Sequence, residues 1–154
     1  MPRLSVGDRM PDFFFDTPFE AGRTLAQTAA RVRGKTALVF LRYYGCPLCQ
    51  YDMHRYAEAH EQLTAGGGQM LVALQSAPEQ LAGQLQPGQL PYEIICDPQQ
   101  ALYRQLAIAP AASQKELAGL GTLFKLAKAR AAGYRHGAYE GEELQLPAVF
   151  VLDR

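Results

Sequence analysis

Strand-forming residues run without a break from 37 to 44, stop at Gly45, and give way at Pro47 to a segment with a different rhythm. Over 47–64 the less polar positions Cys49, Met53, Tyr56, His60 and Leu63 recur at alternating intervals of four and three, the signature of one face of a helix. Short apolar runs predict further buried strands at 69–75, 92–96 and 148–152, and a short strand with aromatic residues at 13–16. Between them the predicted helices carry end signals. Gly66, Gly67 and Gly68 close the helix at 47–64, and Ser76 with Glu79 reads as a capping box for a helix to about 86, where Pro87 and Gly88 stop it. Asp97 and Pro98 open a short helix to about 106. Ser113 with Glu116 repeats the capping box ahead of a Leu117, Leu120, Leu123, Phe124 and Leu126 stripe that ends near Gly133. A weaker helix or turn is expected at 24–33.

Strands alternating with helices predict an α/β fold with a mostly parallel sheet covered on both faces. At 154 residues, 48% of them hydrophobic, the chain fits one domain spanning 1–154 with a sizeable core. Formal net charge is zero and no block of like charge is present, so nothing points to nucleic acid or to an anionic membrane. The most apolar stretch, 37–41, is too short to span a bilayer, and the start of the chain has no apolar run of signal-peptide length. A cytoplasmic protein is therefore expected, in which three cysteines serve chemistry or sit buried more readily than they pair for structure.

Candidate chemistry collects where the first long strand becomes a helix, at Gly45-Cys46-Pro47-Leu48-Cys49. Pro47 suits the first helical position, which sets Cys46 at or beside the N-cap. Unpaired N–H groups and the helix dipole then favour the Cys46 thiolate, the form in which a cysteine attacks. Cys49 lies about one turn further on, within reach of the first sulfur, and its place in the apolar stripe turns it inward while Cys46 is left exposed at the tip. Cys46 is the predicted nucleophile and Cys49 the resolving thiol.

Other readings of the pair are weaker. A structural zinc site needs four ligands, and only Cys96 and the scattered His54, His60 and His136 remain to complete one. A structural disulfide across so small a loop removes little chain entropy. Neither metal, flavin nor nucleotide motif is seen. Cys96, within the apolar run at 92–96, reads as a buried thiol, with a distant resolving role as the sharper option. His60 reads as a core histidine, Tyr43, Tyr44 and Tyr51 as candidate walls of the thiol site, and His136 is left without a role.

Four motifs in order carry a resemblance: Val6-Gly7-Asp8-Arg9-Met10-Pro11-Asp12-Phe13, the strand into Cys46-Pro47-Leu48-Cys49, Cys96-Asp97-Pro98 with Leu102-Tyr103-Arg104, and Leu146-Pro147-Ala148-Val149-Phe150-Val151-Leu152-Asp153. Together they resemble the alkyl hydroperoxide reductase/thiol-specific antioxidant (redoxin) family of the thioredoxin-like superfamily. The resemblance implies a thioredoxin-like fold, Cys46 as the attacking cysteine, Cys49 as its resolving partner, and Leu146-Pro147 as a cis proline held beside the site. Supporting roles fall on Tyr43, Gly45 and Pro47.

This chain also departs from the family pattern. Val39 and Tyr43 stand where peroxiredoxins carry a proline and a threonine, and Pro147 stands about where they carry an arginine. Polarising a peroxide is then left to Arg42, Tyr43 or backbone N–H groups at the helix start. The last strand and helix of similar chains would lie beyond Arg154, which leads to the expectation of a truncated chain or of an open sheet edge suited to a homodimer. The function expected is thiol-dependent reduction of a hydroperoxide or a protein disulfide, with a thioredoxin-type or small-thiol reductant and no cofactor. The alternative from another class is a redox-sensing or interaction module without turnover.

Overall fold

The computed structural model describes residues 3–117 and 119–153. In chain order it contains β1 (Phe14–Phe15), β2 (Arg23–Thr24), α1 (Leu25–Ala29), β3 (Thr36–Phe40), α2 (Pro47–Leu63), β4 (Gln69–Leu74), α3 (Pro78–Ala82), β5 (Glu93–Cys96), α4 (Ala101–Gln105), α5 (Gln114–Leu117), α6 (Leu120–Ala131) and β6 (Ala148–Leu152). β1 and β2 form a small antiparallel hairpin. The main sheet runs β5-β4-β3-β6, with β3, β4 and β5 parallel and β6 antiparallel to β3. This is the mixed, mostly parallel sheet of a thioredoxin-like fold.

Side chains alternate across that sheet and build a core on each face. Leu38, Phe40, Leu71, Ala73 and Ile95 meet Phe13, Phe15, Leu25 of α1, and Leu102 and Tyr103 of α4. Val39, Leu41, Met70, Val72 and Leu74 meet Cys49 and Met53 of α2 and Leu81 of α3. Burying each of these larger apolar side chains contributes roughly 1.5–3 kcal/mol. Tyr103 ties the layers together, its buried hydroxyl donating to Leu41 O at 2.6 Å and to Ala73 O at 3.0 Å.

Several predicted boundaries shift for identifiable reasons. β3 ends at Phe40, four residues early, because its antiparallel partner β6 begins at Ala148 opposite Phe40. The parallel pairing with β4 carries on past it, through Leu41 N to Ala73 O at 3.0 Å and Gln75 N to Arg42 O at 2.6 Å. Ser76 does not cap α3: its hydroxyl accepts from Tyr44 N at 3.0 Å, Ala77 takes the N-cap, and the helix is only one turn and a half. Ser113 does not cap a long helix either. Glu116 reaches back to Ala112 N at 2.8 Å, and Gly119 starts a second helix, α6, so the segment breaks in two.

The long helix α2 follows its predicted span, but Leu63, placed in its apolar stripe, is 55% exposed. The stripe is fully buried at Cys49 and Met53, and Tyr56 packs partly buried against the same core. Leu123 and Phe124 of α6 are likewise exposed while Ala129 is buried; the side chains of Leu117 and Leu120, together with Ala118 and Arg154, lie outside the described residues. α6 packs along α2, where Lys125 Nζ pairs with the Asp52 carboxylate at 2.6 Å. On β6 the alternation is open on one side, Val149 and Val151 being exposed and Phe150 set edge-on against Phe40. No described helix is long and apolar enough to cross a membrane.

Candidate active site

Cys46 is the N-cap of α2 in extended conformation, with Pro47 following at the start of the helix. Its N–H donates to Tyr43 O at 3.1 Å and its carbonyl accepts from Gln50 N at 3.0 Å, so the turn between strand and helix is fixed on both sides of the sulfur. The Cys46 thiol is held down to about 6, chiefly by the hydrogen bond that the Cys49 thiol donates to it; burial opposes the shift, and the Arg42 guanidinium assists it. The Leu48 and Cys49 N–H groups add smaller contributions without closing a cap hydrogen bond on the sulfur. Cys49 is pushed well above the ordinary thiol range by the same hydrogen bond, by burial and by the Cys46 charge. Arg42 N–H donates to Cys49 Sγ at 3.3 Å. The pair thus favours the thiolate at Cys46 and the thiol at Cys49.

The exposed thiol tip expected of Cys46 is corrected here: the residue is only 2% exposed. Residues 136–138 lie against its neighbours Gly45 and Tyr43. Gly137 N–H donates to Gly45 O at 2.8 Å, a contact between two backbones. A side-chain carbon at Gly45 would sit 2.4 Å from Ala138 O, closer than van der Waals contact permits, so the contact requires glycine at this point.

Beyond this contact, the same segment supplies a polar network. The buried Tyr43 hydroxyl donates to the Glu143 carboxylate and lies 3.0 Å from His136 Nε2. Burial, and then Glu143, push that phenol far above its usual range. Arg42 donates to the Glu143 carbonyl oxygen, with the carboxylate 3.8 Å away. Two buried glutamines anchor the far end: Gln75 accepts from Glu142 N at 2.7 Å and donates to Gln145 at 3.1 Å, while Gln145 donates to Ile108 O at 3.2 Å and Leu146 O at 3.0 Å.

Tyr43, Gly45, Pro47, Cys46 and Cys49 thus come together, and Leu146 with Pro147 does not join them as the resemblance implied. The described residues contain no cis peptide bond, so Leu146-Pro147 is trans, and Pro147 is exposed. It directly precedes an edge strand, where a trans proline forfeits no ladder hydrogen bond. Leu146 and Pro147 instead line an open groove of about 1150 Å³ beside the N-terminal arm, with Arg3, Val6 and Met10 among its other walls. Tyr51 lies along α2, accepting from Arg55 at 3.3 Å, and His60 packs near Tyr92 with ring centroids 6.4 Å apart. Cys96 is buried, and that burial pushes its thiol up to about 12, the opposite of an attacking cysteine.

Glu143, His136, Gly137, Gln75 and Gln145 were not foreseen. For all but Gln75, which ends the strand predicted at 69–75, the signal is a polar, glycine-punctuated stretch at 134–145 whose spacing matches no motif. Among the described residues, no three of His, Cys, Asp or Glu converge to hold a metal ion.

The sequence matches the AhpC/TSA family over residues 6–154. The chain belongs to this family. No curated protein sequence matches it. Among solved structures it is similar to peroxidoxin BcpB from Mycobacterium tuberculosis, with a TM-score of 0.59 and 16% identity over 66% of this chain and 65% of that one. It is also similar to the yeast mitochondrial 1-Cys peroxiredoxin, with a TM-score of 0.65 and 12% identity over 97% of this chain and 62% of that one. A third similar structure, peroxiredoxin Q from Xanthomonas campestris, has a TM-score of 0.53 and 12% identity over 62% of this chain and 59% of that one. The chain covers less than two thirds of each, and at these identities the likeness carries the fold.

Proposed function

We propose that this member of the AhpC/TSA family is a thiol-dependent oxidoreductase, a single domain over 1–154, in which Cys46 attacks and Cys49 resolves. The observation that carries the reading is the placement of two free thiols at the start of α2, Cys46 at the N-cap and Cys49 buried one turn on, in an environment that lowers the first thiol and raises the second. With a disulfide substrate, Cys46 thiolate bonds to one sulfur and the other leaves as thiolate. Cys49, losing its proton, then attacks Cys46 sulfur, releases the second thiolate, and leaves a Cys46–Cys49 disulfide. With a hydroperoxide, Cys46 takes the distal oxygen, the alcohol leaves with a proton, and Cys49 condenses with the sulfenic acid to release water. Either route leaves a disulfide that two external thiol groups must reduce, themselves ending as a disulfide.

Disulfide exchange is the favoured half of that pair. Tyr43 stands in the peroxiredoxin threonine position, yet its hydroxyl is spent on Glu143 and so supports no role in polarising a peroxide. A thioredoxin-type or small-thiol reductant fits, since the yeast relative is described with glutathione and thioredoxin systems. The cytoplasm, where such reductants are kept reduced, is the proposed compartment. Mixing the reduced protein with hydrogen peroxide, and separately with a protein disulfide, in stopped flow tests the reading. Disulfide exchange that vanishes in Cys46→Ser is expected; exchange no faster than that of Cys46→Ser would refute it.

A further inference from the structure

Cys46 must meet a second sulfur or an oxygen in order to react, yet it is buried, and the backbone of Gly137 and Ala138 closes on Gly45 directly beside it. We infer that residues 134–140 form an autoinhibitory strap, closed over Cys46 through Gly45, and that the thiol reacts only after the strap swings off. The inference concerns regulation of the site proposed above and rests on Cys46 being the attacking thiol.

The mechanical parts are all on the strap and its two ends. At one end α6 finishes at Ala131 and Gly133 adopts φ +93°, a left-handed turn that a glycine makes without strain. At the other end Gly141 is pressed against Gln75, where a side-chain carbon would come within 2.3 Å of its amide oxygen, and Gln75 and Gln145 fix the chain that follows. Between these points the segment has no regular structure, and His136, Gly137, Ala138 and Tyr139 are exposed. Two latches hold it down at the site, Gly137 N–H on Gly45 O and His136 against the Tyr43 hydroxyl. The His136 and Tyr139 rings stack at 3.9 Å on the outside, stiffening the strap as a unit.

Closure also has a cost. Glu140, at the end of the strap, is half-buried with Oε2 lacking a hydrogen-bond partner, and burial raises its carboxyl above the usual range against the opposing pull of the Ser76 hydroxyl. Opening rehydrates that oxygen. A segment turned at Gly133, anchored beyond Gly141, held by two polar latches and penalised by one buried carboxylate oxygen can open without unfolding the core, which is what a gate requires.

The test is the alkylation rate of each cysteine by iodoacetamide, read by mass spectrometry across pH. Gly137→Pro removes the N–H that closes on Gly45. Its Cys46 should alkylate at least about tenfold faster than in the unaltered protein, the scale of a lost hydrogen bond plus a clash, with the pH midpoint of the reaction unmoved. Cys96 reports on folding, because it stays slow while the core is intact. Should Cys96 also become fast in that variant, Tyr43→Phe carries the test: it removes the second latch without adding volume, and a gain of about threefold at Cys46 with Cys96 slow is expected. Unchanged Cys46 rates in a folded variant, or a gain matched by a shifted midpoint, overturn the strap. Fast alkylation in the opened variant without exchange on a protein disulfide would uphold the strap and refute the redox reading; equal alkylation refutes the strap whatever the exchange assay gives.

Discussion

Replacing Cys49 by alanine isolates the interaction that sets the reactivity of Cys46. The Cys49 thiol is the largest stabiliser of the Cys46 anion, ahead of Arg42 and the helix N–H groups, and burial works against all of them. With the thiol at about 6, about nine-tenths of Cys46 is ionised at pH 7. Without the Cys49 donor, a buried sulfur keeps only the weaker stabilisers, and its midpoint should rise by about one to two units, leaving between about a half and a tenth ionised. Ultraviolet absorbance of the thiolate, titrated in a Cys96→Ser background, reads this directly and does not depend on access to the site. Cys49→Ser retains an O–H donor and should titrate between the parent and Cys49→Ala. A Cys49→Ala midpoint still near the parental value would show that the helix terminus or Arg42 holds the anion, and the role given to the Cys49 donor would fail.

Three further outcomes follow from the same physical picture. The reduced protein should gain stability as pH rises from about 6 to about 8.5, by at most about 1.4 kcal/mol per unit, because a depressed thiol stabilises the fold above its unfolded value and loses that contribution as pH falls through the folded one. Above about 8.5 the raised Cys49 and Cys96 thiols reverse the trend, and urea melts of the reduced protein across pH should show the maximum. Tyr103→Phe removes the only proton that the hydroxyl offers to Leu41 O and Ala73 O, and should lower the urea-melt stability by about 1–3 kcal/mol with the thiol titration unchanged. Gly34→Ala would set a carbon 2.7 Å from Gly66 O and Gly68 N, so a loss of about 1–3 kcal/mol is expected by the same melt, and no loss would mean the Gly34 and Gly67 turns are free to part.

What the sequence made legible is local. Pro47 after Cys46 announces a helix start, and the interval from Cys46 to Cys49 announces a dithiol; both depend on neighbours within one turn, and the helix starts where Pro47 says it does. The four strands of the main sheet were readable as apolar runs because each is buried on two faces, or on one face in β6. The capping boxes at Ser76 and Ser113 failed because a serine hydroxyl bonds whatever donor tertiary structure brings near, and at Ser76 that donor is Tyr44 N–H. The contact beside Cys46 was invisible for a similar reason: it joins Gly137, some ninety residues away, to Gly45 backbone to backbone. No side-chain pattern encodes such a contact. The cis bond implied at Leu146-Pro147 came from likeness alone, and nothing in the residues around Pro147 demands it.

The assignment of roles within the pair is open to a direct trap. Cys49→Ser, reduced and mixed with a protein disulfide, can form the first mixed disulfide but cannot resolve it. Digestion under acidic conditions and mass spectrometry then locate the bond. The account predicts the partner joined to Cys46; a partner joined to Cys96, or no stable adduct while Cys46→Ser forms one through Cys49, would contradict it.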